Sequence, residues 1–407
     1  MSILRLEGPL SAKRVGPSNV LLSGRPSSTA DMDHEQVARI RRVYEGKLLP
    51  DALVDTFRSA DRLFSTRVVR RGAQTQQLPR SKVPLRELRI RAKGADYDLV
   101  DYLSRNRVAG LLILKSGEIT LEHYDFGNGQ ATRWLSMSLA KSISTTLVGA
   151  AIQDGFIRSV EDPVTVYLPE LIGSGYDGVS IRHVLQMTSG VRWDDTHTDP
   201  TSERRQMLEL QIAQKPGAIL RYVASLPRVA QPGSVWNYST GETHIVGALL
   251  RAAVGRWVCD YLADKIWSRA GMEAEATWWL ESPQGLEVAG SGFGATLRDY
   301  GRFGLFVANR GVINGERVLP EGWIEEASAP RQVGGKQVDY GYMWWPVPAG
   351  DGSFSDRAFS ARGIFGQYIY VNPSRQVVIV VWSARSKPKG AEVIADNDFF
   401  NAVVAAS

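Results

Sequence analysis

The sequence predicts an α+β fold: an antiparallel five-stranded sheet flanked by helices and closed by both ends of the chain, with a mostly helical domain inserted between its two halves. Three observations carry this. From Val108 two strand-like runs, VAGLLIL and ITLEHYDF, are joined across the turn KSGE. Near the other end IFGQYIYV and QVVIVVW flank NPSR, with GYMWW before them as a fifth strand. Between the groups, for about two hundred residues, apolar positions recur at helical spacing.

Each element has a local cause. Residues 1–30 are rich in Gly, Pro and Ser and read as a loose arm, after which DHEQVARIRRVYEG places apolar residues near helical spacing. Gly117 takes the turn of the first hairpin, where positive φ is needed. Ser138 to Gln153 is apolar or small almost all round, the mark of a helix buried on every side, and Gly155 stops it. THIVGALLRAAVG forms a helix after Tyr238 that ends at Gly255. Thr296 and Asp299 have the form of a capping box ahead of Phe303, Leu305 and Phe306. The expected division is a basic N-terminal arm over 1–107 that wraps the body, a sheet domain from 108–141 and 290–407, and a mostly helical domain over 142–289.

A chain of 407 residues with 43% hydrophobic and 22% charged residues excludes disorder, collagen and a coiled coil. The net charge of +5 invites a nucleic-acid reading, so its distribution decides. Residues 1–107 carry 21 Lys and Arg against 12 Asp and Glu, and the remainder is slightly acidic. The arginines of that stretch are broken up by acids and prolines and form no reader motif, so no nucleic-acid partner is expected. No apolar run approaches the ~20 residues needed to cross a bilayer, and MSILRLEGPLSAKR has no stretch of signal-peptide length. The expectation is a cytoplasmic protein with no membrane partner, with a homodimer left open. The single cysteine, Cys259, reads as a small core hydrophobe.

For chemistry, G-x-S-x-G and H-E-x-x-H are missing, and the five histidines show no metal spacing. GSGFGA at 290–295 fits a dinucleotide pattern formally, but no strand-type run leads into it, and it reads as a helix-entry turn. No cofactor and no metal are expected. What remains is Ser138-Leu139-Ala140-Lys141, an S-x-x-K motif at the start of the buried helix. Residues three apart share a helix face, so the Lys141 amine reaches the Ser138 hydroxyl. Burial disfavours an ammonium, which makes the amine a base, and the helix N-terminus offers N–H groups to an oxyanion. A second copy, Ser386 to Lys389, contains Pro388 in a polar tail and reads as noise. Tyr238, on the turn before a helix, reads alone as a core residue; beside an ammonium its phenolate would become accessible and could relay a proton.

Together these segments resemble the serine β-lactamase/penicillin-binding-protein superfamily in its class C-like branch, which includes S-x-x-K carboxylesterases and 6-aminohexanoate-dimer (nylon-oligomer) hydrolases. The matching pieces run in the family's order over roughly 108–385: VAGLLILKSGEITLEHY, WLSMSLAKS, DPVTVYLPEL, IRHVLQMTSGVRW, PGSVWNYS, GSGFGATLRDYGRFG and GIFGQYIYVNP. The resemblance implies a β-lactamase/DD-peptidase-like fold, Ser138 as nucleophile, Lys141 as its general base and Tyr238 as proton donor to the leaving group. It implies an oxyanion hole from the backbone N–H of Ser138 and of Ile364, which follows the triplet Ala361-Arg362-Gly363. Trp193 falls where the family places an aromatic residue beside the substrate, and Trp236, Gly363 and Phe365 complete the expected substrate contacts. Two departures stand out. The triplet lacks the family's lysine, and strand alternation turns Arg362 to the opposite face. The tyrosine triplet ends in Thr240, not in an amide side chain.

The resulting expectation is a serine hydrolase that works through an acyl-enzyme on carboxylic esters or small linear amides, its partner being that small-molecule substrate. The alternatives are β-lactamase or D-amino-acid peptidase activity, or a non-catalytic ligand-binding member of the fold.

Overall fold

Two apolar hairpins from distant parts of the chain pair edge to edge, which satisfies the main-chain groups along both inner strands and makes one sheet wide enough for helices to cover its faces. The computed structural model describes residues 32–85 and 87–407. The loose arm expected over 1–30 lies outside them. Helix α1 (His34–Tyr44) starts at Asp33, whose carboxylate accepts the Glu35 N–H, and α2 (Pro50–Arg58) has proline in its first turn. Strand β1 (Thr66–Val69) is followed by the hairpin β2 (Val108–Lys115) and β3 (Glu118–Tyr124), then by the short β4 (Trp134–Leu135). The buried helix α3 (Ala140–Gln153) comes next, and α4 (Thr240–Val254) ends on Gly255 at a φ of 72°. Strands β5 (Ala276–Trp279) and β6 (Phe293–Ala295) lead to α5 (Leu297–Ala308), where Thr296 Oγ1 accepts the Asp299 N–H. The chain closes with β7 (Trp345–Pro346), β8 (Phe359–Gly363), β9 (Gln367–Asn372), β10 (Val377–Ser383) and α6 (Asp396–Ala406). Between 154 and 275 the regular elements are helices.

The main sheet runs β7-β8-β9-β10-β2-β3, antiparallel throughout. Its seam is β10 on β2, with Val377 opposite Lys115 and Trp382 opposite Gly110. One face packs Ile113, Ile379 and Val381 against Phe399, Phe400 and Val403 of α6. The other meets α5 at close range: a Cβ on Gly301 would stand 2.6 Å from Leu112 Cδ2, and one on Gly304 2.5 Å from Val378 Cγ1. Glycine at these positions lets helix and sheet approach.

The sheet has six strands, not five. The added one is β8, whose sequence FSARG is short, mixed in polarity and ends in glycine, so no alternation marks it. The strand read as IFGQYIYV begins only at Gln367, because Phe365 and Gly366 take φ of 65° and 88°. A second, four-stranded sheet, β1-β5-β6-β4, was not anticipated. Phe293–Ala295 of GSGFGA is a strand of it, followed by the helix entry. Its β1 comes from the basic stretch and pairs Thr66 with Trp279. Arginines of that stretch meet acids of the later chain, Arg67 with Glu287 at 2.7 Å and Arg80 with Glu122 at 2.6 Å. Among the described residues no helix is long and apolar enough to cross a membrane.

Candidate active site

The second sheet delivers Ser138. Leu135 pairs with Gly294, and the Ser136 N–H donates to the Phe293 carbonyl at 2.8 Å, which anchors the strand end. Met137 then takes a φ of 49°, and Ser138 lies in a single 3-10 turn, Met137–Leu139, ahead of α3. The spacing argument placed Ser138 in the α-helix itself. The relation to Lys141 survives because a 3-10 turn also stacks residues three apart.

Lys141 is 1% exposed, and its Nζ lies 2.9 Å from the Gly290 carbonyl and 3.0 Å from Ser138 Oγ, donating to both. Burial lowers its pKa to about 7; the Asp195 carboxylate opposes this, while Arg204 and Lys389 reinforce it. Tyr238 stands just before α4, its ring centroid 5.2 Å from Lys141 Nζ. Burial raises its phenol above the ordinary value, Asp195 adds to that, and the contact with the Ser138 hydroxyl works against it. The accessible phenolate expected from the sequence is therefore corrected. In one site burial lowers the lysine pKa and raises that of the tyrosine, so each is shifted away from the charge that the other would need.

A cavity of about 700 Å³ opens over Ser138, lined also by Trp193, Trp236, Tyr238, Gly363 and Ile364. Lys141 lies buried beside it. Among the described residues the main-chain N–H groups of Ser138 and Ile364 have no protein acceptor. A Cβ on Gly363 would collide with the Ser136 carbonyl oxygen, so only glycine lets β8 come this close to the nucleophile turn. Phe365 is not brought to the cavity. Its positive φ sends the ring to the far side, 1% exposed and edge-on to Phe57 at 5.5 Å.

Arg362 reverses another expectation. Alternation does separate it from Ala361, but Ala361 is fully buried, and the face carrying Arg362 is the one that lines the cavity. Lys389, from the copy of S-x-x-K read as noise, lines it too. Asp195 was missed altogether. Its Oδ1 accepts the Trp193 indole N–H at 2.9 Å, the Thr240 hydroxyl at 2.7 Å and the Thr240 N–H at 3.2 Å, tying the 190s loop to the start of α4. Burial works to raise its pKa, but His197, Lys141, Arg204 and the Thr240 hydrogen bond hold it below the ordinary value. The only local signal was its place two residues after Trp193.

Residues 99–401 match the family described as Beta-lactamase. The 6-aminohexanoate-dimer hydrolase of Paenarthrobacter ureafaciens is 28% identical over 310 residues, covering 72% of this chain and 76% of that one. Among solved structures, a candidate 6-aminohexanoate-dimer hydrolase from Bacillus anthracis superposes with a TM-score of 0.75 at 22% identity, over 87% of this chain and 93% of that one. A family VIII carboxylesterase gives 0.56 at 18% identity, over 75% and 94%. The family match spans well over half of the sequence, so the chain belongs to the beta-lactamase family and is a hydrolase of that fold.

Proposed function

We propose that this chain hydrolyses linear amides or carboxylic esters through an acyl-enzyme on Ser138. The observation that carries the reading is the buried Lys141 amine, 3.0 Å from Ser138 Oγ with a pKa lowered to about 7. The neutral amine takes the Ser138 proton as Oγ bonds to the substrate carbonyl carbon. The oxyanion accepts hydrogen bonds from the N–H groups of Ser138 and Ile364. As the C–N or C–O bond breaks, the neutral Tyr238 hydroxyl gives its proton to the leaving nitrogen or oxygen and regains one from the Lys141 ammonium. Water then adds to the acyl carbon, its proton passing to Lys141 and on to Ser138 Oγ as the acid departs. The names of the similar proteins, a 6-aminohexanoate-dimer hydrolase and a carboxylesterase, support amide and ester substrates of this kind. The test is labelling by a fluorophosphonate probe together with turnover of p-nitrophenyl butyrate. Attachment at Ser138 and turnover, both lost in Ser138→Ala, are expected; a protein that binds ligands but is neither labelled nor active overturns the reading.

A further inference from the structure

The family match begins at residue 99, yet the active site rests on residues well before it. Helix α1 buries Ile40, Val43 and Tyr44. Against Leu135 and Met137, on the strand and turn that deliver Ser138, these three enclose an apolar space too small for water. Just beyond α1 the Gly46 carbonyl accepts from Lys387 Nζ at 2.9 Å, and a Cβ on Gly46 would stand 2.9 Å from Pro388 Cδ. Lys387 and Pro388 both line the cavity. On the outer side of α1, Arg41 forms a two-point ion pair with Glu209 of the helix Glu203–Ile212.

The same helix also holds a charge. The Tyr44 hydroxyl accepts from Arg204 Nη2 at 2.6 Å, with the guanidinium 4.5 Å from the ring centroid. The Tyr44 ring stacks on His197 with centroids 5.9 Å apart and planes 9° from parallel. His197 lines the cavity, and its Nε2 stands 3.8 Å from Asp195 Oδ2. Burial pushes the His197 pKa down to about 3, so this ring is neutral at pH 7. The contacts thus run Arg204, Tyr44, His197, Asp195, with a cation and an anion at the ends and two uncharged rings between them. Arg204 is 3% exposed, and among the described residues it forms no ion pair; Asp195 Oδ2 is buried without a hydrogen-bond partner. Beside them Arg205 donates to the His197 carbonyl at 3.2 Å and meets Glu45 at 3.6 Å. The two unpaired charges act on Lys141 with opposite sign: Asp195 favours its ammonium, while Arg204 and Lys389 disfavour it. Tyr238, which also faces Lys141, is a neutral phenol. A guanidinium paired with Asp195 would cancel the carboxylate's share of that balance.

We infer that Tyr44 is a positioning residue of the hydrolase: by holding Arg204 it keeps that guanidinium off Asp195, so that the two charges face Lys141 separately and α1 becomes part of the active site. The inference rests on Lys141 as the general base proposed above.

The experiment follows the acidic limb of kcat/KM against pH for p-nitrophenyl butyrate in the full chain. Tyr44→Phe keeps the ring and its stack on His197 but loses the acceptor for Arg204. The released guanidinium turns to Asp195 Oδ2, and the limb should move to lower pH by about half a unit, with KM little changed. Arg204→Gln removes the cation and should move the limb the other way, to higher pH, by about the same amount. Arg204→Lys, which keeps the charge, should recover most of that shift. Tyr44→Phe added to Arg204→Gln should move the limb no further, because the group it releases is gone. Arg41→Gln, which weakens the docking of α1 only at an exposed ion pair, should leave the limb in place. The inference is overturned by a limb that stays or moves to higher pH in Tyr44→Phe, or that stays or moves to lower pH in Arg204→Gln. It is equally overturned if Arg204→Lys shifts the limb as far as Arg204→Gln, if the two shifts add in the double variant, or if Arg41→Gln matches Tyr44→Phe. If no substrate turns over, the hydrolase reading fails while the role of Tyr44 stays measurable on the same protein. The Cε NMR resonance of Lys141, assigned by its loss in Lys141→Met, then gives the titration directly. Its midpoint should fall in Tyr44→Phe and climb in Arg204→Gln; a midpoint unmoved in Tyr44→Phe overturns the inference.

Discussion

Lys141 Nζ stands 3.0 Å from Ser138 Oγ, and its other hydrogen-bond partner is a main-chain carbonyl, that of Gly290. The hydrogen bonds thus orient the amine without a carboxylate ligand, and burial sets its charge. A lysine held this way is half neutral near pH 7, where one paired to an acid would stay protonated.

Activity should follow the neutral fraction of that amine. Since its pKa is lowered to about 7, kcat/KM for p-nitrophenyl butyrate should climb tenfold per pH unit below that value and level off above it. Tyr238, raised above the ordinary phenol value, should add no falling limb in the same range. A rate still climbing towards pH 10 would show that the base is an ordinary solvated lysine or another group.

The same burial makes Lys141 a stability liability. Its pKa is lower in the folded state than in the unfolded chain, so between pH 7 and the ordinary lysine value of about 10.5 the unfolded state holds the extra proton. Folding stability from this group therefore rises with pH across that window, and the penalty is complete below it. Lys141→Met should abolish turnover yet raise the thermal midpoint, more at pH 6 than at pH 10. An equal gain at both pH values would mean that the lysine is not buried as a charge.

Asp195 connects the two catalytic segments by charge and by hydrogen bonds. Its carboxylate opposes the effect of burial on Lys141, so removing the charge lets the lysine pKa fall further. Asp195→Asn keeps an oxygen for the Trp193 and Thr240 donors. The acidic limb of the kcat/KM profile should move to lower pH while the substrate's KM changes little. Asp195→Ala, which also drops the hydrogen bonds, should raise KM as the 190s loop loosens from α4. A limb that stays in place in both variants would leave Asp195 a structural residue only.

What the sequence made legible was local. Ser138 and Lys141 are three residues apart at the start of an apolar helix, so any tight helical turn brings them together, and that helix singled the pair out from the second S-x-x-K copy at Ser386. The hairpins around Lys115 and Pro373 were visible because VAGLLIL and QVVIVVW are apolar on both faces, as strands between two helix layers must be. Strand β8 was hidden: five residues of mixed polarity carry no period, and its place is set by the strands on either side. Asp195, Arg362 and Lys389 were missed or set aside because their relation to Lys141 and Tyr238 exists only after distant segments fold together. Phe365 was misplaced for a smaller reason, a single positive φ that turns its ring towards Phe57.

Gly363 tests the oxyanion side of the site. Its α-carbon faces the Ser136 carbonyl so closely that any Cβ must push β8 away from the turn that holds Ser138. The displaced strand carries Ile364, whose N–H is the proposed second donor to the oxyanion. Gly363→Ala should therefore lower kcat by about a hundredfold, the effect of an ångström-scale misplacement, with a smaller change in KM. The thermal midpoint should fall by only a few degrees, since the collision lies at the end of β8 and can be relieved by a local shift. Gly350→Ala is the matched control: nothing lies within 4 Å of a Cβ built there, so rate and midpoint should both be retained. A Gly363→Ala protein that folds and turns over at the wild-type rate would remove Ile364 from the oxyanion hole and require a donor on another element.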